Sequence, residues 1–278
     1  MNSHREVTDD CIAIVFYGID PDAGSLLKFY VDLIDWFQQV ECPADKLTVK
    51  GPGYSGKIVG FKRSDSRLRA RGFSEIDSFE VYSILPGSTN PGTYWWATAH
   101  LCWLERHSYF VLQARSSVTT LEDDRLARLI ASCAAHLKPA YGIGYHCDFN
   151  KGPFFYAVGV IFTTNYGSTE TPPRDEAEKK AIGGWGLVGC HECVYLQGLL
   201  RDVYPQNYLT EPQLMRQVQG KSLEHWISSD SSRGTLTKLD QRMQLWRVPD
   251  AQVQSVRGEL KLAGLIFDRD TWLQSRSH

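Results

Sequence analysis

The sequence lacks the long apolar runs and the charge excess that mark several classes of protein. No stretch approaches the roughly 18 apolar residues that a membrane-spanning helix needs. The formal net charge is −2, from 30 Lys and Arg against 32 Asp and Glu, so no basic excess points to a general nucleic-acid or membrane binder. Hydrophobic residues make up 42% of the 278 positions, as in ordinary globular proteins. We therefore expect a globular protein with no direct nucleic-acid or membrane partner.

Neither a disulfide framework nor a secretory leader is visible in the sequence. The seven cysteines are odd in number, and most lie in apolar runs such as HLCWL and IASCAA, which is typical of buried free thiols. The first ten residues, MNSHREVTDD, are polar and contain no apolar segment after a basic start, unlike a signal peptide. We expect a cytoplasmic protein.

Hydrophobic periodicity predicts helices and strands interleaved along the chain. Helices are predicted at 26–39, 64–72, 121–137, 171–183, 211–218, 222–229 and 250–264. Strands are predicted at 11–18, 57–63, 78–85, 94–105, 108–115, 140–149, 154–163, 235–239, 243–248 and 264–268. Short turns between successive strands favour antiparallel pairing. The predicted fold class is α+β, as two α+β halves with mixed or antiparallel sheets flanked by helices.

The helix at 121–137 sets the predicted domain boundary. It closes one set of elements, and a new pair of strands opens after it. We therefore predict an N-terminal α+β domain over 1–138 and a C-terminal α+β domain over 139–278.

The segment CHEC at 190–193 resembles the start of a zinc site but is incomplete. A metalloprotease helix carries His-Glu-x-x-His, because residues four apart supply two ligands from one face. Position 195 is tyrosine, and no second C-x-x-C or H-x-x-x-H lies elsewhere in the sequence. We expect a packed helix start with Cys193 in the core. A thioredoxin-like redox role for the C-x-x-C remains an open alternative.

Two glycine-rich segments fall short of nucleotide-binding motifs in a similar way. GPGYSGK at 51–57 fits G-x-x-x-x-G-K, but Ile58 replaces the Ser or Thr that would hold magnesium. The following residues also look like a strand instead of the expected helix, so we predict a turn between strands. GIGYHC at 142–147 lacks the third glycine of a dinucleotide fingerprint, so we predict glycines that allow close packing in a strand.

Several segments together carry a resemblance to one protein family. The most specific is LRDVYPQNYLT at 200–210, followed by PQLMRQVQGKSLEHWI. Further matching pieces are SGKIVGFKR at 55–63, RGFSEIDSFEVYSILPG at 71–87, AYGIGYHCDFNKGPFFYAVGV at 140–160 and LAGLIFD at 262–268. These segments span most of the chain. The sequence resembles the immunity proteins of polymorphic-toxin systems, specifically the immunity family numbered fifty-two.

The resemblance implies an antitoxin without catalytic activity. Its partner would be a cognate toxin, secreted by a type VI or related system, with a restriction-endonuclease-like DNase domain. The resemblance implies no cofactor and no metal. Carboxylates facing a basic DNA-binding groove would raise the rate and specificity of encounter. Two acidic clusters are therefore candidates for toxin binding, and they comprise Glu122, Asp123, Asp124, Asp175, Glu176 and Glu178.

Structural roles are the alternative for each of these segments. The acidic clusters suit helix N-termini, where carboxylates pair with the helix dipole. For the 201–208 segment we favour a structural corner over a toxin contact. Arg201 and Asp202 would tie a helix end to the chain reversal at Pro205, with tyrosines packed beneath. Two other functions stay open: a metal- or nucleotide-dependent hydrolase using 190–193 or 51–57, and an adaptor for secretion machinery.

Overall fold

The computed structural model describes residues 9–87, 94–104, 107–161 and 175–276. The strands are β1 (Asp10–Tyr17), β2 (Lys46–Lys50), β3 (Val59–Gly60), β4 (Ser78–Ile84), β5 (Trp95–Leu104), β6 (His107–Arg115), β7 (Tyr141–Asp148), β8 (Gln206–Leu209), β9 (Gln217–Val218), β10 (Lys221–Ser222), β11 (Thr235–Lys238) and β12 (Gln244–Arg247). The α-helices are α1 (Ala23–Gln39), α2 (Phe61–Arg71), α3 (Asp124–Leu137), α4 (Pro153–Val158), α5 (Glu176–Gly184), α6 (Glu211–Leu214), α7 (Leu223–Ser228), α8 (Asp250–Leu262) and α9 (Arg269–Ser275). No helix among these residues is both long and apolar enough to cross a bilayer.

One large antiparallel sheet dominates the described part of the chain. Its ten strands run in the order β11-β12-β8-β7-β1-β6-β5-β4-β2-β3. Every neighbouring pair is antiparallel. The remaining strands, β9 and β10, form a separate small hairpin. Helices lie against the large sheet, so the α+β fold class predicted from the sequence is confirmed.

The sheet passes through the predicted domain boundary without a break. The strands before residue 138 form one end of the strand order, and the strands after residue 139 form the other end. They meet where β1 pairs with β6 on one edge and with β7 on the other. The two halves therefore share one hydrogen-bonded sheet, and whether either half folds alone stays a prediction.

Alternate residues of β1 divide the core into two layers. Ile12, Ile14 and Phe16 face a layer that includes α1 and α3. Ala13, Val15 and Tyr17 face the opposite layer, which contains the aromatic residues of the C-terminal half. This alternation is the period-two pattern of a strand that is buried on both faces.

The prediction of a strand at 154–163 is wrong for the residues that the structure describes. Residues 153–158 form α4 instead, and 162–163 lie outside the described ranges. Pro153 stands at the first helical position, and Gly159 ends the helix with φ +75°. Proline at the start and glycine just past the end are the expected bounds of a short helix, although the apolar run between them resembles a strand.

Three other predicted elements differ from the structure. Of the predicted strand at 57–63 only Val59–Gly60 is extended, because α2 begins at Phe61. The predicted helix at 211–218 stops at Leu214 and gives way to the β9–β10 hairpin. The predicted strand at 264–268 reduces to a single parallel bridge from Ile266 to Leu200. Each case is a short segment, where periodicity covers too few residues to be decisive.

Candidate binding surface

The 190–193 segment does not assemble a metal site within the described residues. Cys190 ends a π-helical turn over 185–190, and Cys193 has φ +47° just before a short 3₁₀ helix. Glu192 forms an ion pair with Arg276 at 3.0 Å. No group of three metal-ligating side chains lies together in the described part of the chain. Cys190 and Cys193 are free thiols packed at the margin of the aromatic core layer.

The 51–57 loop is a turn between two strands, as predicted. β2 and β3 pair on either side of it, with Leu47 opposite Val59. The Gly53 carbonyl accepts hydrogen bonds from Arg67 at 2.6 Å and from Arg71 at 3.3 Å. The Tyr54 ring lies 5.1 Å from each of these guanidinium groups. The loop is therefore fastened to α2 by two arginines.

The acidic cluster at 122–124 lies at the start of α3. Asp123 caps the helix, and its carboxylate also accepts hydrogen bonds from Arg125 at 2.6–3.1 Å. These bonds lower the pKa of Asp123 to about 2. Glu122 and Asp124 are exposed. Asp123 therefore has a structural role, and the two neighbouring carboxylates face solvent.

The second acidic cluster lies at the start of α5, and Trp185, directly after this helix, packs in the core layer on the opposite face of the sheet. Asp175 caps α5 by accepting from the Glu178 backbone N–H at 2.7 Å. Glu176 pairs with Lys179 at 2.6 Å, and Glu178 is half-buried. The structure thus places the two predicted acidic clusters on different faces and does not bring them together.

The 200–208 segment is built around Arg201, a buried cation. Its guanidinium donates to the Tyr17 hydroxyl at 2.9 Å, to the Ala157 carbonyl at 2.8 Å and to the Tyr156 carbonyl. The same group lies 4.3 Å from the centre of the Tyr156 ring and 5.5 Å from that of Trp185. Neutral carbonyl oxygens and ring faces therefore solvate the charge, which limits the cost of burying it.

Tyrosines surround this cation and remain neutral. Burial raises the pKa of Tyr17, Tyr141, Tyr145 and Tyr204. The Tyr141 hydroxyl accepts from the Arg201 backbone N–H at 3.2 Å. We call these four tyrosines, with Tyr156 and Arg201, the tyrosine cage.

The rest of the segment forms a corner held by side-chain hydrogen bonds. Asn207 accepts from the Tyr204 N–H at 3.1 Å and donates to the Tyr204 carbonyl at 2.6 Å. Asp202 accepts from Arg257 of α8 at 2.6 Å. The structural role favoured from the sequence agrees with this geometry.

Two cavities flank this corner. The first, of about 600 Å³, lies between β7, the corner and α8. Tyr145, Tyr156, Tyr204, Glu178 and Arg257 are among its lining residues. The predicted toxin-binding residue Glu178 thus lines this first cavity.

The second cavity, of about 740 Å³, lies between α5, the C-terminal end of α8 and α9. Its charged lining comprises five basic residues, Lys180, Arg201, Arg216, Lys261 and Arg269, and two acidic ones, Asp202 and Asp268. Half-buried apolar side chains, Leu199, Ile266, Phe267 and Trp272, line it too. We call this cavity the basic cleft.

Sequence patterns alone do not reveal the basic cleft. Arg216 follows α6, Lys261 lies in the last turn of α8 and Arg269 begins α9, and the three belong to no charge run. They come together because the Leu200–Ile266 bridge brings the chain end back to the corner. Leu262 follows Lys261 in the chain, and only the structure reveals that its side chain is exposed by 92%.

Comparison with known proteins gives a likeness of fold. No family model matches the sequence, and no curated protein matches it. Among solved structures, the chain is similar to the Pseudomonas aeruginosa T6SS protein PA0821, with a TM-score of 0.56 and 11% sequence identity. The similarity covers 93% of this chain and 73% of that one. At this identity the likeness concerns the fold.

Proposed function

We propose that the protein is an immunity protein of a type VI secretion system. It would act in the cytoplasm of the producing bacterium, where it binds and inhibits a cognate secreted nuclease toxin. The observation that carries this proposal is the fold likeness to a T6SS protein over 93% of the chain. The resemblance of the 200–210 segment and four other segments to an immunity family points to the same role.

The architecture suits an inhibitor that acts through a fixed surface. The large sheet is covered by helices on both faces, and the corner at 200–208 is held by buried hydrogen bonds. A rigid, preorganised surface loses little conformational entropy on binding, which favours tight inhibition.

The predicted acidic contacts remain part of the proposal. Glu122 and Asp124 are the exposed carboxylates of the first cluster, and Asp175 and Glu176 are those of the second. Because the clusters lie on opposite faces, one compact toxin groove would contact only one of them. Two double variants identify which face contributes to binding. One carries Glu122→Gln and Asp124→Asn, and the other carries Asp175→Asn and Glu176→Gln. The variant with the weaker affinity for the toxin marks the face that contacts it.

Co-expression with the toxin tests the function. The product of the neighbouring gene is tested as the toxin, and it is expressed in a susceptible bacterial host with or without this chain. We expect the chain to restore growth and to co-elute with an inactive form of the toxin. Failure of both rescue and complex formation would exclude the proposed function.

A further inference from the structure

We propose that the basic cleft is the docking surface for an acidic, partly apolar segment of the partner protein. The inference rests on the proposed function, because the toxin is then that partner. Among the described residues that line the cleft, none is one of the six carboxylates predicted for toxin binding, although Ala177 lies between two of them in the chain. The segment would place carboxylates against the basic rim and apolar side chains on the floor.

The walls of the cleft are fixed by contacts between its elements. Lys180 of α5 forms an ion pair with Asp270 of α9 at 2.7 Å. The stem of Arg269 lies against Gly184 of α5, where an added Cβ would meet the Arg269 Cβ at 3.2 Å. The Arg216 side chain lies against Gly198 in the same manner, at 2.8 Å. These contacts place Lys180 and the stems of Arg216 and Arg269 at the cleft before any partner arrives.

Three of the cleft's cations are not engaged by acidic residues of the part of the chain that the structure describes. Within the described residues, the side chains of Arg216, Lys261 and Arg269 make no hydrogen bond and no ion pair. All three are exposed. They are therefore available to carboxylates of a partner.

The two acidic residues that line the cleft already have partners. Asp202 is bound to Arg257 at 2.6 Å. Asp268 caps α9 by accepting from the Thr271 N–H at 2.9 Å, and this bond lowers its pKa. The cleft thus carries a local positive excess in a chain whose formal net charge is −2, and negative charge on a partner would complement it.

Apolar side chains form the floor of the cleft, and other exposed apolar side chains lie next to its basic residues in the chain. Phe267 and Trp272 contact each other with ring centres 6.5 Å apart. Met215 precedes Arg216 in the chain and is exposed by 59%, and Leu262 follows Lys261 and is exposed by 92%. Aromatic, methionine and arginine side chains are enriched at protein–protein interfaces. Exposed apolar surface next to arginine therefore favours a protein as the occupant.

A nucleic acid fits the same surface less well. Binding along a phosphate backbone needs an extended basic face, because several phosphates must be neutralised together. Here three cations, unpaired among the described residues, border an apolar floor, and Asp268 and Asp270 lie beside them. An acidic peptide segment matches both the limited charge and the apolar area.

A charge-reversal variant tests the docking surface. It carries Arg216→Glu, Lys261→Glu and Arg269→Glu. The matched control carries Lys28→Glu, Lys62→Glu and Arg63→Glu, which change the net charge equally on exposed residues of α1 and α2. These two helices pack on the opposite face of the sheet. Circular dichroism and thermal unfolding are used to check that both variants are folded.

Affinity for the inactive toxin, rescue of growth and affinity for duplex DNA are measured for each protein. We expect the cleft variant to bind the toxin at least about tenfold more weakly and the control to bind like the wild type. Equal toxin binding by wild type and cleft variant overturns the cleft assignment and leaves the proposed function intact. DNA binding that disappears only in the cleft variant, with toxin binding unchanged, also overturns it in favour of a nucleic-acid site. If the wild-type protein neither binds the toxin nor rescues growth, both the proposed function and the cleft assignment are overturned.

Discussion

The guanidinium of Arg201 donates to the Tyr17 hydroxyl at 2.9 Å, although 184 residues separate the two along the chain. Tyr17 ends the central strand β1, and Arg201 begins the corner that leads into β8. The Tyr17 hydroxyl in turn donates to the Ala157 carbonyl at 2.7 Å, which Arg201 also contacts. One hydrogen-bonded cluster therefore links the N-terminal strand, α4 and the corner.

Arg201→Met should destabilise the fold. Two backbone carbonyls and one phenol would lose a charged donor in a buried site, and hydrogen bonds to charged groups contribute about 1.5–3 kcal/mol. We expect the free energy of unfolding, measured in urea, to fall by about 2–4 kcal/mol. Arg201→Lys should recover only part of this loss, because an ammonium group cannot reproduce the planar fork.

Lys28→Met is the comparison, since Lys28 is an exposed cation on α1. The free energy of unfolding of this variant should remain within about 0.5 kcal/mol of the wild-type value. An Arg201→Met protein as stable as this control would show that the cage contributes little to stability.

Gly186→Ala should separate α4 from the π-helical turn. A Cβ on Gly186 would lie 2.3 Å from the Gly159 carbonyl oxygen, and backbone atoms cannot yield as a flexible side chain does. We expect a loss of about 1–3 kcal/mol in the free energy of unfolding. Gly258→Ala in α8 is the matched control, because no atom lies within 4 Å of its added Cβ. It should stabilise the helix by about 0.5–1 kcal/mol, and an equal effect of both substitutions would contradict the packing explanation.

The fold was predictable from the sequence where the pattern is long. The helix predicted at 121–137 is found at 124–137, because its apolar residues repeat over several turns. The short helix at 153–158 was missed, although Pro153 and Gly159 signal its bounds. Arg201 was predicted to have a structural role, but its contacts with Tyr17 and Ala157 depend on how distant segments cross. Such contacts leave no periodic trace in one sequence.

Cys190 should be chemically inert in the folded protein. Burial raises the pKa of its thiol to about 12, whereas the nucleophilic form of cysteine is the thiolate. In mildly alkaline buffer, iodoacetamide should leave Cys190 unmodified in the native protein and alkylate it in denaturant, as followed by peptide mass spectrometry. Metal analysis of the purified protein should find no stoichiometric zinc. Rapid native alkylation of Cys190, or one zinc per chain, would revive the redox or metal hypothesis.

His100 should make stability depend on pH between about 4 and 6.5. Its ring stacks on Phe154 at 4.7 Å, and Glu80 lies 3.5 Å from Nε2 with Lys50 beyond it. Burial lowers the pKa of His100 from 6.5 to about 4, against the opposing effect of Glu80. In that window the unfolded chain binds a proton that the folded chain does not, so the free energy of unfolding falls as the pH falls. Between pH 7 and pH 5 this histidine should account for about 1–2 kcal/mol of the loss in the free energy of unfolding, measured by urea titration.

His100→Gln should remove that part of the pH dependence of the free energy of unfolding, whereas substitution of the exposed His225 by Gln should leave it unchanged. If both variants keep the wild-type slope, other groups cause the pH dependence.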